Sequence, residues 1–173
     1  MPRKRTDNAA APEPLAPPPP WAAVVDRAIA DHAARPGGLL PLLHAIQDAM
    51  GWVPPDAQAL IARALNVTVA EVQGVVSFYH DFRSVPPGRH VLKMCRAEAC
   101  QAMGSDALVA HAEARLGMAF HATRADGAVT LEPVYCLGNC ATAPSMLVDG
   151  RLFGRVTAER FDAIVADTVE AKP

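Results

Sequence analysis

Cysteine is scarce in this chain, with four in 173 residues. That argues against a disulfide-stapled mini-domain, and with 51% apolar residues a core can form without crosslinks. No stretch approaches the ~18 consecutive apolar residues that a membrane span requires. Neither sign of charge is in excess: 16 Lys and Arg stand against 18 Asp and Glu. A general basic field for nucleic acid or anionic lipid is therefore lacking. Nucleotide motifs are missing too, since neither G-x-G-x-x-G nor a P-loop occurs. The basic start MPRKRTDN has no apolar stretch behind it, so no secretory signal is expected. These features lead to the expectation of a cytoplasmic protein in a reducing compartment. There, closely spaced cysteines favour metal or redox chemistry over structural disulfides.

Proline is plentiful in one place. Residues 1–20 hold seven prolines and almost nothing that packs, so a disordered tail is expected. Arg3, Lys4 and Arg5 within it read as a solvated end or a docking patch. From Trp21 the apolar period becomes helical. Trp21, Val24, Val25, Ala28 and Ile29 share one face, and Pro36, Gly37 and Gly38 stop that helix. Leu39, Leu42, Leu43, Ile46 and Met50 form a second stripe, ended by Gly51. A third helix opens at Pro55 with Leu60, Ile61, Ala64 and Leu65 inward and Asn66 as its stop. The fourth opens on a capping box, Thr68 with Glu71, and carries Val72, Val75, Val76 and Tyr79. Residues 21–85 are thus expected to form a small helical bundle.

After Pro86, Pro87 and Gly88 the period changes. His90 to Met94 reads as a strand ending at Cys95, and Ser105 to Leu116 as a helix stopped by Gly117. Asp126-Gly127 and Asp149-Gly150 are turns between strand-like runs, one of them Val129 to Tyr135. Thr157 caps a last helix with Phe161, Ile164, Val165 and Val169 inward. Residues 86–173 read as a small α/β unit, which makes the whole chain α+β.

The cysteines form two pairs, Cys95-x4-Cys100 and Cys136-x3-Cys140, separated by 35 residues. Both are expected on loops at strand ends, where a scaffold presents ligands from distant sequence. Four thiolates suit a two-iron, two-sulfur cluster and also structural zinc. Neither pair is the C-x2-C knuckle of zinc ribbons and dithiol oxidoreductases, so the spacing favours iron–sulfur over zinc or free thiols. Gly104 and Gly138 are candidates to bring backbone N–H groups to sulfur, and Arg96, Glu98 and Asn139 to tune a cluster. Met94, Met103 and Met146 read as an apolar shell around the thiols. The six histidines (32, 44, 80, 90, 111 and 121) are not needed as ligands once four cysteines complete the site. The aromatic-dense run FYHDF at 78–82 reads as packing between the two halves, or as a contact surface for a partner.

The run CLGNCATAPSMLVDGRLFGRVT, with the C-x4-C pair upstream, resembles the thioredoxin-like 2Fe–2S ferredoxin family, which includes the small iron–sulfur subunit of respiratory NADH dehydrogenase. LLPLLHAIQDAMGWVP and ALNVTVAEVQGVVSFYHDF resemble the helical part preceding the cluster domain in such subunits, and the likeness spans about Gly38 to Asp167. FYHDFRSVPPGRHVLKMCRAEACQAMGSDAL is similar to the gamma subunit of soluble NAD-dependent formate dehydrogenases. The respiratory forms tend to have a small Gly-Thr type loop where this chain has Arg96-Ala97-Glu98-Ala99.

The resemblance implies a thioredoxin-like cluster domain and one 2Fe–2S cluster on Cys95, Cys100, Cys136 and Cys140. It implies a non-catalytic electron-transfer role beside a flavin- and NAD-binding subunit. A large molybdenum- or tungsten-dependent formate-oxidising subunit would complete the assembly. The equivalent subunit of a respiratory NADH dehydrogenase or NAD-linked hydrogenase is the alternative within the family. A zinc-stabilised adaptor is the alternative outside it.

Overall fold

The computed structural model describes residues 18–170. Residues 1–17 of the expected tail, Arg3, Lys4 and Arg5 among them, lie outside the described residues. Four helices come first: α1 (Ala22–His32), α2 (Leu39–Met50), α3 (Gln58–Leu65) and α4 (Val69–Phe78). Their ends obey local chemistry. Gly51 takes a left-handed conformation at φ 83° and closes α2 by donating its N–H to the Gln47 carbonyl. Thr68 Oγ1 accepts from the Glu71 N–H at 3.1 Å while the Glu71 carboxylate accepts from the Thr68 N–H at 2.7 Å, the reciprocal cap read from the sequence.

Val25, Leu42, Leu43, Ile46, Val53, Ile61 and Val72 are fully buried between these helices. The face expected for α3 is rotated. Gln58, Ile61 and Ala62 point inward, whereas Leu60 is 38% exposed and Ala64 is exposed. The chain enters α3 through a 3₁₀ turn, Pro55–Ala57. Such a turn winds faster than an α-helix and shifts the phase of the helix after it.

The second half holds β1 (His90–Cys95), α5 (Glu98–Ala102), α6 (Ser105–Leu116), β2 (Ala122–Thr123), β3 (Val129–Val134), β4 (Met146–Val148), β5 (Arg151–Phe153) and α7 (Ala158–Thr168). One mixed sheet runs in the order β2-β3-β1-β4-β5. β1 and β3 are parallel and the other neighbours antiparallel. A parallel pair needs a crossover, and α6 lies within it. Leu92, Met94, Val129, Leu131, Met146 and Val148 pack with Leu108, Ala112, Phe161 and Val165 of α6 and α7. Lys93 and Glu132 are opposite in the β1–β3 register, at positions that alternate with this core set. The turn between β4 and β5 is Asp149-Gly150, both at positive φ (51° and 82°), as a tight hairpin requires. β3 stops at Val134, one residue short of its expected end.

The two halves are sewn together where α4 gives way to β1. Gln47 is only 7% exposed; its Nε2 donates to the Asp81 carbonyl at 2.7 Å and its Oε1 accepts from the Arg83 N–H at 2.8 Å. The Val53 N–H donates to the Arg83 carbonyl at 2.7 Å. Lys93 of β1 donates to the Asp81 carboxylate.

Candidate metal centre

Cys95 is the last residue of β1, its N–H donating to the Ser145 carbonyl at 3.0 Å. Its side chain is buried against Cys100, Ala143, Ala97, Val134 and Leu137. Cys100 lies on α5 rather than on a loop, which corrects the expected placement. Five residues are too few to show a helical period in sequence. Gln101 Nε2 donates to the Arg96 carbonyl at 3.1 Å and ties α5 to the end of β1.

The second pair is built differently. Cys136 follows β3 at φ 117°, unusual for a non-glycine residue, and is exposed. Cys140, also exposed, opens a 3₁₀ turn, Cys140–Thr142. The two sulfurs are 3.7 Å apart, and the Gly138 N–H donates to Cys136 Sγ at 3.3 Å. Burial pushes the Cys100 thiol up, and the neighbouring thiols of Cys95 and Cys140 add to the rise. The Cys140 thiol is also raised, first through its hydrogen bond with Cys136 and then through the charge that Cys136 and Cys95 would carry. The thiolates of Cys100 and Cys140 are thus disfavoured by their neighbours, and a cation among the thiols would offset that.

The loop carrying Cys140 rests on residues outside the motif. Asn139 Nδ2 donates to Ser145 Oγ at 3.1 Å, and that buried hydroxyl faces the carbonyls of Asn139 and Thr142 at 3.3 and 3.4 Å. The Arg155 N–H donates to the Thr142 carbonyl at 2.6 Å. Gly154 admits no side chain, because a Cβ there would collide with Thr142 and lie 2.7 Å from Asn139 Nδ2. Neither Ser145 nor Gly154 stands out in the sequence. The only signal for Gly154 is an isolated glycine after a strand-like run.

Several expected neighbours of sulfur are engaged elsewhere. Arg96 stacks its guanidinium 5.7 Å from the Phe120 ring and reaches Asp106 at 3.5 Å. Asn139 props Ser145, Glu98 is exposed, and the Gly104 N–H donates to the Gln101 carbonyl. Gly138 alone of the expected pair of glycines gives its N–H to a thiol. Met94 and Met146 are buried, but Met103 is 63% exposed and belongs to the surface. His90, His111 and His121 each pair with a carboxylate, Asp149, Asp162 and Glu132 respectively. Within the aromatic run, Phe82 is buried and packs on His44 at 4.9 Å, whereas Phe78 is 73% exposed. That run therefore serves packing at one end and presents surface at the other.

Among the described residues no three Cys, His, Asp or Glu side chains converge on one point suited to a single ion. The thiols instead form an inner and an outer pair that sense each other's charge. Two pairs fit a centre of two irons, each taking two thiolates, better than one tetrahedral zinc.

The chain is 37% identical over 114 residues to a subunit of the NADH-quinone oxidoreductase of Pseudomonas aeruginosa, covering 66% of this chain and 69% of that protein. It is 32% identical over 133 residues to the NADP-reducing hydrogenase subunit HndA of Solidesulfovibrio fructosivorans, covering 77% and 78%. Among solved structures it resembles an NAD+-reducing [NiFe]-hydrogenase in the H2-reduced state, at 28% identity and a TM-score of 0.67. That match covers 79% of this chain but spans only 23% of the hydrogenase chain. The profile of the thioredoxin-like [2Fe-2S] ferredoxins matches residues 25–169, and the chain belongs to that family.

Proposed function

We propose that Cys95, Cys100, Cys136 and Cys140 hold one 2Fe–2S cluster and that the chain is the electron-transfer subunit of a cytoplasmic, NAD-linked oxidoreductase complex. The observation that carries this reading is the meeting of two thiol pairs at one end of the sheet, with a backbone N–H already aimed at Cys136 Sγ. When bound, such a cluster takes up and gives back one electron at a time. Cys95 and Cys100 form the dry side of the site, packed by Ala97, Val134, Leu137 and Ala143. Cys136 and Cys140 form the side open to a partner. The Gly138 N–H favours negative charge on sulfur, which is how outer-shell donors tune a centre. The partner is expected to carry FMN and bind NAD, since the similar proteins are named as subunits of NADH-quinone oxidoreductase and a NADP-reducing hydrogenase.

Within that class the finer reading is an NAD-dependent formate dehydrogenase with a large molybdenum- or tungsten-dependent partner. Its support is the likeness of the stretch from Phe78 to Leu108 to gamma subunits of such enzymes. The subunit of a respiratory dehydrogenase or hydrogenase is the competing assignment, favoured by the similar proteins' names.

Anaerobic purification of the chain tests the first step. About two irons and two sulfides per chain with an EPR signal after reduction are expected; one zinc in a colourless protein would overturn it. Tagged purification of the native complex, assayed for NAD reduction by formate and by H2, separates the finer readings.

A further inference from the structure

Two grooves flank the cysteine end of the molecule. The cleft between the halves, about 330 Å³, is lined by His80, Asp81, Lys93, His121, Glu132 and Tyr135. Lys93 pairs there with Asp81 and His121 with Glu132, while Arg83, also in the lining, donates to the Gly51 carbonyl at 3.3 Å. The second groove, about 540 Å³, runs between the start of α6 and the start of α7. Its walls are mostly apolar: Met103, Ala107, Ala141, Ala143 and Pro144, with Arg155 at one side. Ala141 is the neighbour of Cys140, so this groove begins at the open side of the thiol site.

Arg155, in its lining, and Arg160, bonded to the Gly154 carbonyl next to it, form no ion pair among the described residues. The Arg160 bond runs from Nη1 to the Gly154 carbonyl at 2.6 Å. The one acid in the first turn of α7, Glu159, is engaged by its own helix N-terminus and by Thr157. Met103, 63% exposed, adds a large apolar side chain to its wall.

We propose that this groove docks an acidic segment of the electron-exchanging partner, one apolar side chain entering beside Met103 and carboxylates meeting Arg155 and Arg160. An apolar centre rimmed by arginine is the composition that interface cores favour. Covering arginines without counter-charges is costly, so the occupant supplies the carboxylates. The inference rests on the electron-transfer reading above.

The test uses the native complex, with a photo-crosslinking p-benzoylphenylalanine replacing Met103 and a control probe replacing Leu60. Irradiation is expected to join position 103 to a carboxylate-rich segment of the flavin-bearing subunit. Arg155→Glu combined with Arg160→Glu is expected to cut that yield severalfold at low salt, and Arg155→Lys to retain it. Absence of the crosslink in an intact complex, a crosslink to a second copy of this chain, or one to a segment without Asp or Glu overturns the proposal. The visible spectrum and iron content of the same preparation report on the cluster independently, so loss of the cluster reading is seen apart from loss of the docking site.

Discussion

Cys100 and Cys136 are the same residue type with different surroundings, and substitution is expected to separate them. Cys136→Ser changes an exposed side chain. The cluster-free chain should keep its stability within about 0.5 kcal/mol, as surface changes do. Cluster retention should fall, because a hydroxyl is a poorer ligand for iron than a thiolate. Cys100→Ser places a hydroxyl where only 2% of the residue is exposed, against Cys95 and Ala143. An unsatisfied hydroxyl there costs about 1–3 kcal/mol. Urea unfolding of the metal-free proteins, with iron content of the reconstituted ones, checks both halves of the prediction. Equal destabilisation by the two substitutions would contradict the inner and outer assignment.

At the scale of elements, loops are held by the groups packed behind them. Gly154→Ala pushes a methyl into Thr142 and Asn139, next to Cys140. Iron retention is expected to drop while circular dichroism shows the helices unchanged; a variant that binds iron like its parent would show that the loop gives way freely. The Asp126-Gly127 turn offers a pH-dependent test. Hydrogen bonds from the Arg124 guanidinium and the Ala128 N–H hold the Asp126 carboxyl down at about 2, below its ordinary 3.8. A carboxylate depressed on folding stabilises above its unfolded value and loses that contribution as pH falls through the folded one. Asp126→Asn is therefore expected to lower Tm at pH 7, with the gap to the parent closing between about pH 4 and pH 2. Thermal melts across that range decide it, and a gap independent of pH would reject the charge-based account.

For the whole molecule, the junction between the bundle and the sheet rests on few groups. Gln47→Leu would leave the Asp81 carbonyl and the Arg83 N–H without the partner that Gln47 provides. A loss of about 1–3 kcal/mol is expected. Hydrogen exchange should quicken at residues 81–83 while amides in β1 and β3 stay protected. Exchange rising across the sheet as well would mean that the halves unfold as one unit. Burial in the junction opposes ionisation of Asp81, yet the hydrogen bond and field of Lys93, helped by Arg83, outweigh it and its pKa is lowered. The Asp81–Lys93 contact thus contributes above the ordinary carboxylate range and is lost on acidification below it.

Much of the fold is legible locally. The cap Thr68–Glu71, the stops at Gly51, Asn66 and Gly117, the turn Asp149-Gly150 and the inward face of α7 are decided within a few residues, by backbone conformation and side-chain period. The two cysteine pairs are legible as spacing. The phase of α3 and the short α5 under Cys100 are not, since one depends on a tighter turn before it and the other is too short to show a period. Nor does spacing reveal that Cys95 and Cys100 are buried while Cys136 and Cys140 are open. That difference arises where β1 and β3, distant in sequence, meet, while the Ser145 and Gly154 support comes from the chain folding back on the Cys140 loop. Sequence by itself determined which residues are available for metal and where most elements begin and end, because those depend on neighbours along the chain. Tertiary structure alone decided which thiols are sheltered and which are exposed, because burial is set by Val134, Leu137 and Ala143, far along the chain, closing over Cys95 and Cys100 and leaving the other pair open.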